Sequence, residues 1–329
     1  MANIGMIGAG SWGTALTYAL SHNGHSVKVY SAIASEVEML QKYHEQKEKL
    51  PGVVLPDLVT ATTDLEIAIY GMDLLVLAVP SHFTRSTAKA MAPFVKEGQL
   101  IVSVAKGIEE GSLKTLTDII LEEIPQCRVS VLCGPTHAEE VGKGIPTAIV
   151  SGADDQKDAE YVQEIFMSDF LRVYTSSDIL GMQVGAALKN VVALAAGIAD
   201  GLGYGDNTKA ALITRGIAEI SKIGVAMGGK AETFSGLTGI GDLIVTCASM
   251  HSRNRRAGIL IGEGATPDEA MEKVNQVVEG VFSAKAAKEL GEKYGIETPI
   301  VDGVYSILFE KMEPADMVKA LMGREKKSE

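Results

Sequence analysis

A doubly wound α/β domain followed by an all-helical domain is the fold class this sequence predicts, and three observations predict it. The chain opens with a short apolar run, Asn3 to Ile7. That run enters Gly8-Ala9-Gly10-Ser11-Trp12-Gly13 and continues with helical spacing through Leu16, Ala19 and Leu20. The first half alternates short β-rich runs with amphipathic segments, the order that builds a parallel sheet between helices. After about Ser177 the pattern turns to long helical spacing rich in Ala and Gly. The expected domains are therefore residues 1–178 and 179–329.

The opening strand, glycine turn and helix N-terminus form the pyrophosphate cradle of a dinucleotide-binding βαβ unit, so the first domain is expected to be Rossmann-type. Gly8 allows the turn, Gly10 lets backbone approach the pyrophosphate, and Gly13 lets helix pack on strand. Later strands are expected at Ser26–Tyr30, Asp73–Ala78, Leu100–Ala105, Val129–Cys133, Thr147–Ser151 and Leu171–Thr175. The run Leu74-Leu75-Val76-Leu77-Ala78 suits a strand covered on both faces. Leu50-Pro51-Gly52-Val53-Val54-Leu55-Pro56 interrupts the alternation and reads as an ordered loop. In the second half, helices are expected over Met182–Gly201, Thr208–Met227, Pro267–Val274, Val281–Tyr294, Pro299–Phe309 and Pro314–Met322. Pro267, Pro299 and Pro314 stand where a helix begins and a missing N–H costs little. Gly323 to Glu329 reads as a frayed polar tail.

Composition excludes several classes. Of 329 residues, 46% are hydrophobic and 22% charged, enough apolar material for a substantial core. The net charge of −12 argues against nucleic-acid binding and against a membrane-surface role, both of which need basic surface. No stretch reads as the roughly 20 uncharged apolar residues a bilayer span needs, so no stable membrane insertion is expected. The glycine turn begins too early for a targeting peptide to precede it, and a cytoplasmic location is expected. Cys127, Cys133 and Cys247 are odd in number and lack ligand spacing. They read as free thiols, with no metal site expected. In so acidic a chain, an anionic substrate needs a local basic cluster.

Several constellations could carry chemistry. An acid about 20 positions after the glycines would bind the ribose 2′-OH of NAD and repel the extra phosphate of NADP. Here the second strand ends Val29-Tyr30-Ser31-Ala32-Ile33, with no acid before Glu36 and no arginine. Ser31 suits either form, so NADH and NADPH both stay open. Lys106 follows the strand ending Val102-Ser103-Val104, where parallel strands face the ligand crevice; a solvated loop lysine is the plainer reading. Gly134-Pro135-Thr136-His137 opens a short helix whose N–H groups suit an anion. His137 reads more simply as a structural or surface residue. Lys189 and Asn190 are polar residues inside an apolar helix. Burying an ammonium is expensive unless it is paired, and a partly desolvated lysine can act as general acid/base; the alternative is a lysine snorkelling at a domain edge. Gly185, Ala193 and either Ala196 or Gly197 share its face and would admit a ligand or another backbone. Asp242, after Gly236-Leu237-Thr238-Gly239-Ile240-Gly241, either caps a helix or pairs with a buried lysine. Ser252-Arg253-Asn254-Arg255-Arg256 is the densest basic cluster and suits phosphate recognition; a solvated charge run is the plainer reading.

Seven segments together resemble the NAD(P)-dependent glycerol-3-phosphate dehydrogenase family in its bacterial form. They are GAGSWGTAL at 8–16, LPGVVLP at 50–56, AKGIE at 105–109, GPTHAEEV at 134–141, LKNVVALAAGIADGLGYGDNTKAALITRG at 188–216, GLTGIGDLIVTCASMHSRNRRAG at 236–258 and VVEGVFSAK at 277–285. The resemblance implies reversible reduction of dihydroxyacetone phosphate to sn-glycerol 3-phosphate, a precursor of phospholipid backbones. It implies Lys189 as the general acid/base, and Lys106, Gly134, Thr136, Asp242, Ser252, Arg253 and Asn254 around the small phosphorylated three-carbon substrate. It implies cofactor contacts at Gly8, Gly10, Ser11, Trp12, Gly13, Lys106, Ala138, Arg253, Val277 and Glu279. Family members often carry an arginine just after the second strand, where this chain has Ala32-Ile33.

Two rival readings accompany this one. A β-hydroxyacid dehydrogenase or ketopantoate-reductase relative would pair the same domains with a carboxylate substrate. A non-enzymatic NAD(P)H sensor would need the glycine turn but not Lys189, Lys106 and Asp242 together. The Gly/Ala-rich helices would serve a homodimer interface as well as an internal core.

Overall fold

The computed structural model describes residues 1–326. Eight strands form one sheet: β1 (Asn3–Ile7), β2 (Ser26–Tyr30), β3 (Val59–Thr62), β4 (Leu74–Leu77), β5 (Leu100–Ser103), β6 (Arg128–Cys133), β7 (Thr147–Ala153) and β8 (Leu171–Ser176). Their order is β3-β2-β1-β4-β5-β6-β7-β8. Strands β1 to β6 run parallel, β7 is antiparallel to β6, and β8 is parallel to β7. The chain leaves β1 towards β2 and β3, then returns to place β4 on β1's other side. That reversal opens a crevice at the carboxyl ends of the strands, where ligands of such sheets bind.

Seven helices belong with this sheet: α1 (Ser11–His22), α2 (Ala34–Tyr43), α3 (Leu65–Ile69), α4 (Thr84–Met91), α5 (Leu116–Glu123), α6 (Ala138–Val141) and α7 (Gln156–Phe166). Strand faces are buried on both sides: β4 and β5 are wholly buried, so their side chains feed two separate apolar clusters. One gathers Ile4, Met6, Leu16, Val76, Val102 and Phe166. The other holds Ile7, Leu75, Leu77, Ile101 and Ile120. The strand β3, Val-Thr-Ala-Thr, was not expected from the sequence; it is a short edge strand with only Val59 buried. The loop over residues 50–56 is anchored by Leu50, Val53 and Leu55 in the first cluster.

Compactness divides the chain into Met1–Glu109 with Lys114–Gln183, and Glu110–Leu113 with Val184–Glu329. The break falls inside α8 (Ile179–Gly201). The second unit continues with α9 (Asp206–Ala226), α10 (Ala231–Phe234), α11 (Asp242–Ala248), α12 (Arg253–Gly262), α13 (Pro267–Val274), α14 (Glu279–Tyr294), α15 (Pro299–Phe309) and α16 (Pro314–Met322). Proline stands in the first turn of α13, α15 and α16. By length and composition α8 is long and apolar enough to cross a bilayer although it carries Lys189 and Asp200, and 89% of its most apolar window is buried inside the protein.

The small-residue face of α8 receives another backbone. A Cβ on Gly197 would collide with the Arg255 carbonyl oxygen, and one on Gly258 with that of Leu194. So α8 and α12 cross at close range and fix where the first turn of α12 sits. Elsewhere in this unit, Glu219 on α9 accepts hydrogen bonds from the backbone N–H groups of Ile300 (2.9 Å) and Val301 (3.3 Å), capping α15. Burial pushes the Glu219 carboxyl up to about 7, against the opposing pull of those N–H groups.

Candidate active site

In the sheet unit, the glycine turn follows β1 directly. Gly8 has φ +124°, and a Cβ there would lie 2.6 Å from the Ala78 carbonyl oxygen. Only glycine therefore fits between the ends of β1 and β4. The Gly8 N–H donates to the Tyr30 carbonyl at 2.9 Å, tying the turn to the end of β2. A Cβ on Gly13 would collide with the Gly8 carbonyl, so α1 rests directly on the turn. Gly10 is the N-cap of α1 with no side-chain cap, and nothing lies within 4 Å of the place its Cβ would take. Ser11 and Trp12 form the first turn of that helix. An open helix N-terminus with a side-chain-free entrance fits a dinucleotide's pyrophosphate, which its N–H groups and dipole would hold.

Lys106 follows β5 and Gly134 follows β6, its φ of +157° bringing it within 3.2 Å of Ile149 Cα if it bore a Cβ. The Lys106 ammonium donates to the Gly134 carbonyl at 2.9 Å and lies 3.5 Å from Thr136 Oγ1. Thr136 donates to the same carbonyl at 3.1 Å. Lys106, Gly134 and Thr136 are thus one cluster at the carboxyl end of adjacent strands. His137 occupies the N-cap of the four-residue helix α6 without a side-chain cap bond, and Ala138 is the buried first residue of that helix.

In the helical unit, Lys189 is only 4% exposed. Its ammonium donates to Asp242 Oδ1 at 2.6 Å and to Thr246 Oγ1 at 2.6 Å. Thr246 in turn donates to the Asp242 backbone carbonyl at 2.5 Å. Lys189 is therefore a buried, ion-paired lysine rather than a snorkelling one. Asp242 opens α11 after a π turn over Leu237–Gly241, and its carboxylate pairs across to α8. Thr246 lies one turn beyond Asp242, and no signal in the sequence marked it.

The basic cluster divides by role. Ser252 is the N-cap of α12, its hydroxyl accepting from Arg255 N at 3.2 Å. Arg253 is the first helical residue and is half-buried. Buried Asn254 donates to Asn190 Oδ1 at 3.0 Å and accepts from Gly280 N at 2.8 Å, linking α8, α12 and α14. Arg255 is committed to Asp200, its Nε at 2.8 Å, with Lys209 on the other oxygen at 2.9 Å. Arg253 at a capped helix N-terminus is the arrangement that suits a phosphate. Val277 and Glu279 lie at the start of α14, beside the Gly280 contact of Asn254.

The three cysteines are buried and unbridged. Burial pushes the Cys247 thiol up to about 12 and the Cys127 thiol up to about 11, so neither is a reactive thiolate. Among the described residues, no His, Cys, Asp and Glu cluster is placed to hold a metal ion.

Residues 3–159 match the family model described as the NAD-dependent glycerol-3-phosphate dehydrogenase N-terminus, and residues 178–319 match that of its C-terminus. The chain belongs to this family. It is 62% identical over its full length to the glycerol-3-phosphate dehydrogenase (NAD(P)+) of Agathobacter rectalis, covering 98% of that protein. Against the enzyme of the same description from Fusobacterium nucleatum the identity is 56%, with 100% of this chain and 99% of that protein covered. The crystal structure of glycerol-3-phosphate dehydrogenase from Coxiella burnetii superposes with a TM-score of 0.95 at 34% identity, covering 98% of this chain and 99% of that one. Membership in this dehydrogenase family displaces both the carboxylate-substrate and the sensor readings.

Proposed function

We propose that the chain catalyses the reversible NAD(P)H-dependent reduction of dihydroxyacetone phosphate to sn-glycerol 3-phosphate, a reaction that supplies glycerophospholipid backbones. The observation that carries this reading is the buried Lys189–Asp242–Thr246 cluster, because an ammonium so enclosed and so precisely held is suited to proton transfer at one atom. Gly8, Gly10, Ser11, Trp12 and Gly13 hold the dinucleotide, with Ala138, Val277 and Glu279 as further contacts. When bound, NAD(P)H supplies the hydride that reaches the carbonyl carbon of the substrate.

Lys189 Nζ gives a proton to the C2 oxygen as negative charge develops there, and takes it back in the reverse direction. Asp242 and Thr246 occupy two of the three N–H directions of that ammonium and so set its orientation. Lys106, oriented by Gly134 and Thr136, binds substrate oxygens and contributes positive charge. Ser252, Arg253 and Asn254 receive the phosphate at the N-terminus of α12. A net charge of −12 makes such a local cluster necessary for a dianionic substrate.

The test is oxidation of NADH or NADPH on adding dihydroxyacetone phosphate, compared with ketopantoate and with oxidation of 3-hydroxyisobutyrate. Turnover confined to the phosphorylated ketone is expected. Folded protein inactive with that ketone would sink the proposal.

A further inference from the structure

The end of β2 holds an acid that its sequence position concealed. Glu36 lies in the first turn of α2 and is only 4% exposed. Its Oε2 accepts from the Ser31 hydroxyl at 2.6 Å, and its Oε1 pairs with the Lys49 ammonium. Ser31 Oγ also accepts from the Ile33 N–H at 3.1 Å, so the hydroxyl is committed to the protein rather than open to either cofactor. The carboxylate therefore stands at the strand end that faces the adenosine ribose in a Rossmann unit, and it carries its own cation.

The backbone on either side of Lys49 is anchored. Gln46, fully buried, donates from Nε2 to the Ala9 carbonyl at 3.1 Å, so this segment grips the glycine turn itself. Leu50, Val53 and Leu55 seat the following loop in the core. The Lys49 side chain is 39% exposed and that of Glu36 only 5%, which makes the ammonium the half of the pair that an incoming nucleotide reaches.

Resting on the dehydrogenase reading above, we propose that the Ser31–Glu36–Lys49 chain governs discrimination between NADH and NADPH. An unpaired acid here would repel a 2′-phosphate. Paired with Lys49, the acid's charge is offset, and a partly exposed ammonium is available to a 2′-phosphate at this strand end. With NADPH, Lys49 turns to the 2′-phosphate. With NADH it stays on Glu36. The pair admits both cofactors where Ala32 and Ile33, just after β2, offer no charge.

The experiment is direct titration of NADH and NADPH binding by nicotinamide fluorescence, without substrate. Lys49→Met is expected to raise the NADPH Kd by about 10–100-fold, the loss of a charge-assisted contact plus an uncovered acid. Its NADH Kd should stay within about threefold, and Lys49→Arg should restore the wild-type ratio to within about threefold. Glu36→Gln should shift the ratio the other way, towards NADPH, by about 3–10-fold. A Lys49→Met protein with wild-type circular dichroism and an unchanged NADPH-to-NADH ratio would overturn this inference alone. Wild-type protein that binds neither nucleotide would overturn the cofactor reading beneath it as well.

Discussion

Two lysines of this chain are held in opposite ways. Lys106, half-buried at the end of a strand, rests on a backbone carbonyl and a hydroxyl. Lys189 is enclosed in a helical core and held by a carboxylate and a hydroxyl at 2.6 Å each. The difference teaches what each residue's removal would measure. Truncating Lys106 removes its hydrogen bonds to two neutral oxygens, the Gly134 carbonyl and Thr136 Oγ1. Truncating Lys189 leaves the Asp242 carboxylate, 1% exposed, without its counter-charge. The first lysine rests on neutral partners near the sheet's carboxyl edge, whereas the second is bound into the fold by a buried opposite charge.

The largest expected effect on stability follows directly. Lys189→Ala should lower unfolding free energy by about 3–5 kcal/mol, as for breaking a buried ion pair, and Lys106→Ala by no more than about 1 kcal/mol. Equal losses in urea unfolding would erase the distinction between the two sites.

The next effect concerns another buried charge in the helical unit, Glu219, whose carboxyl titrates near 7 rather than at its ordinary 4.5. A raised acid binds its proton more tightly in the folded state. Its contribution is therefore complete below pH 4.5 and is lost as pH rises through about 7, by on the order of 3 kcal/mol. Glu219→Gln should flatten the pH dependence of Tm across that window. Parallel Tm profiles for the variant and the wild type would refute the assignment.

The smallest stability effect belongs to the basic cluster, where two arginines of one helix are again held differently. Arg255→Ala should cost about 1.5–3 kcal/mol, the value of hydrogen bonds to a charged partner, Asp200. Its KM should change little. Arg253→Ala should raise KM for dihydroxyacetone phosphate by about 10–100-fold. A reversal of the two patterns would mean that Arg255 holds the phosphate.

The fold was legible wherever one local signal sufficed. Proline at a helix start placed Pro267–Val274, Pro299–Phe309 and Pro314–Met322 with their observed bounds. Apolar runs placed the central strands, because burial on both faces demands them. The strand β3 escaped because Val-Thr-Ala-Thr at a sheet edge is half polar and short. The reversed direction of β7 escaped because an apolar run carries no polarity. At the site, Lys189 and Asp242 were visible as oddities, a charge in an apolar helix and an acid after glycines. Thr246 was not singled out, and Asn190 was noted only as a polar residue in an apolar helix, since their partners depend on which helix faces which. Glu36 and Lys49 lay 13 residues apart across a loop, and their pairing is a product of tertiary structure.

The central claim is that Lys189 carries the proton while the glycine turn carries the dinucleotide. It is tested most directly by measuring, on the same Lys189→Ala protein, kcat for dihydroxyacetone phosphate reduction and Kd for the reduced cofactor. The account predicts a fall in kcat of about 10²–10⁴-fold with the cofactor Kd within about threefold of wild type. A kcat near the wild-type value, in protein that binds the cofactor normally, would contradict it.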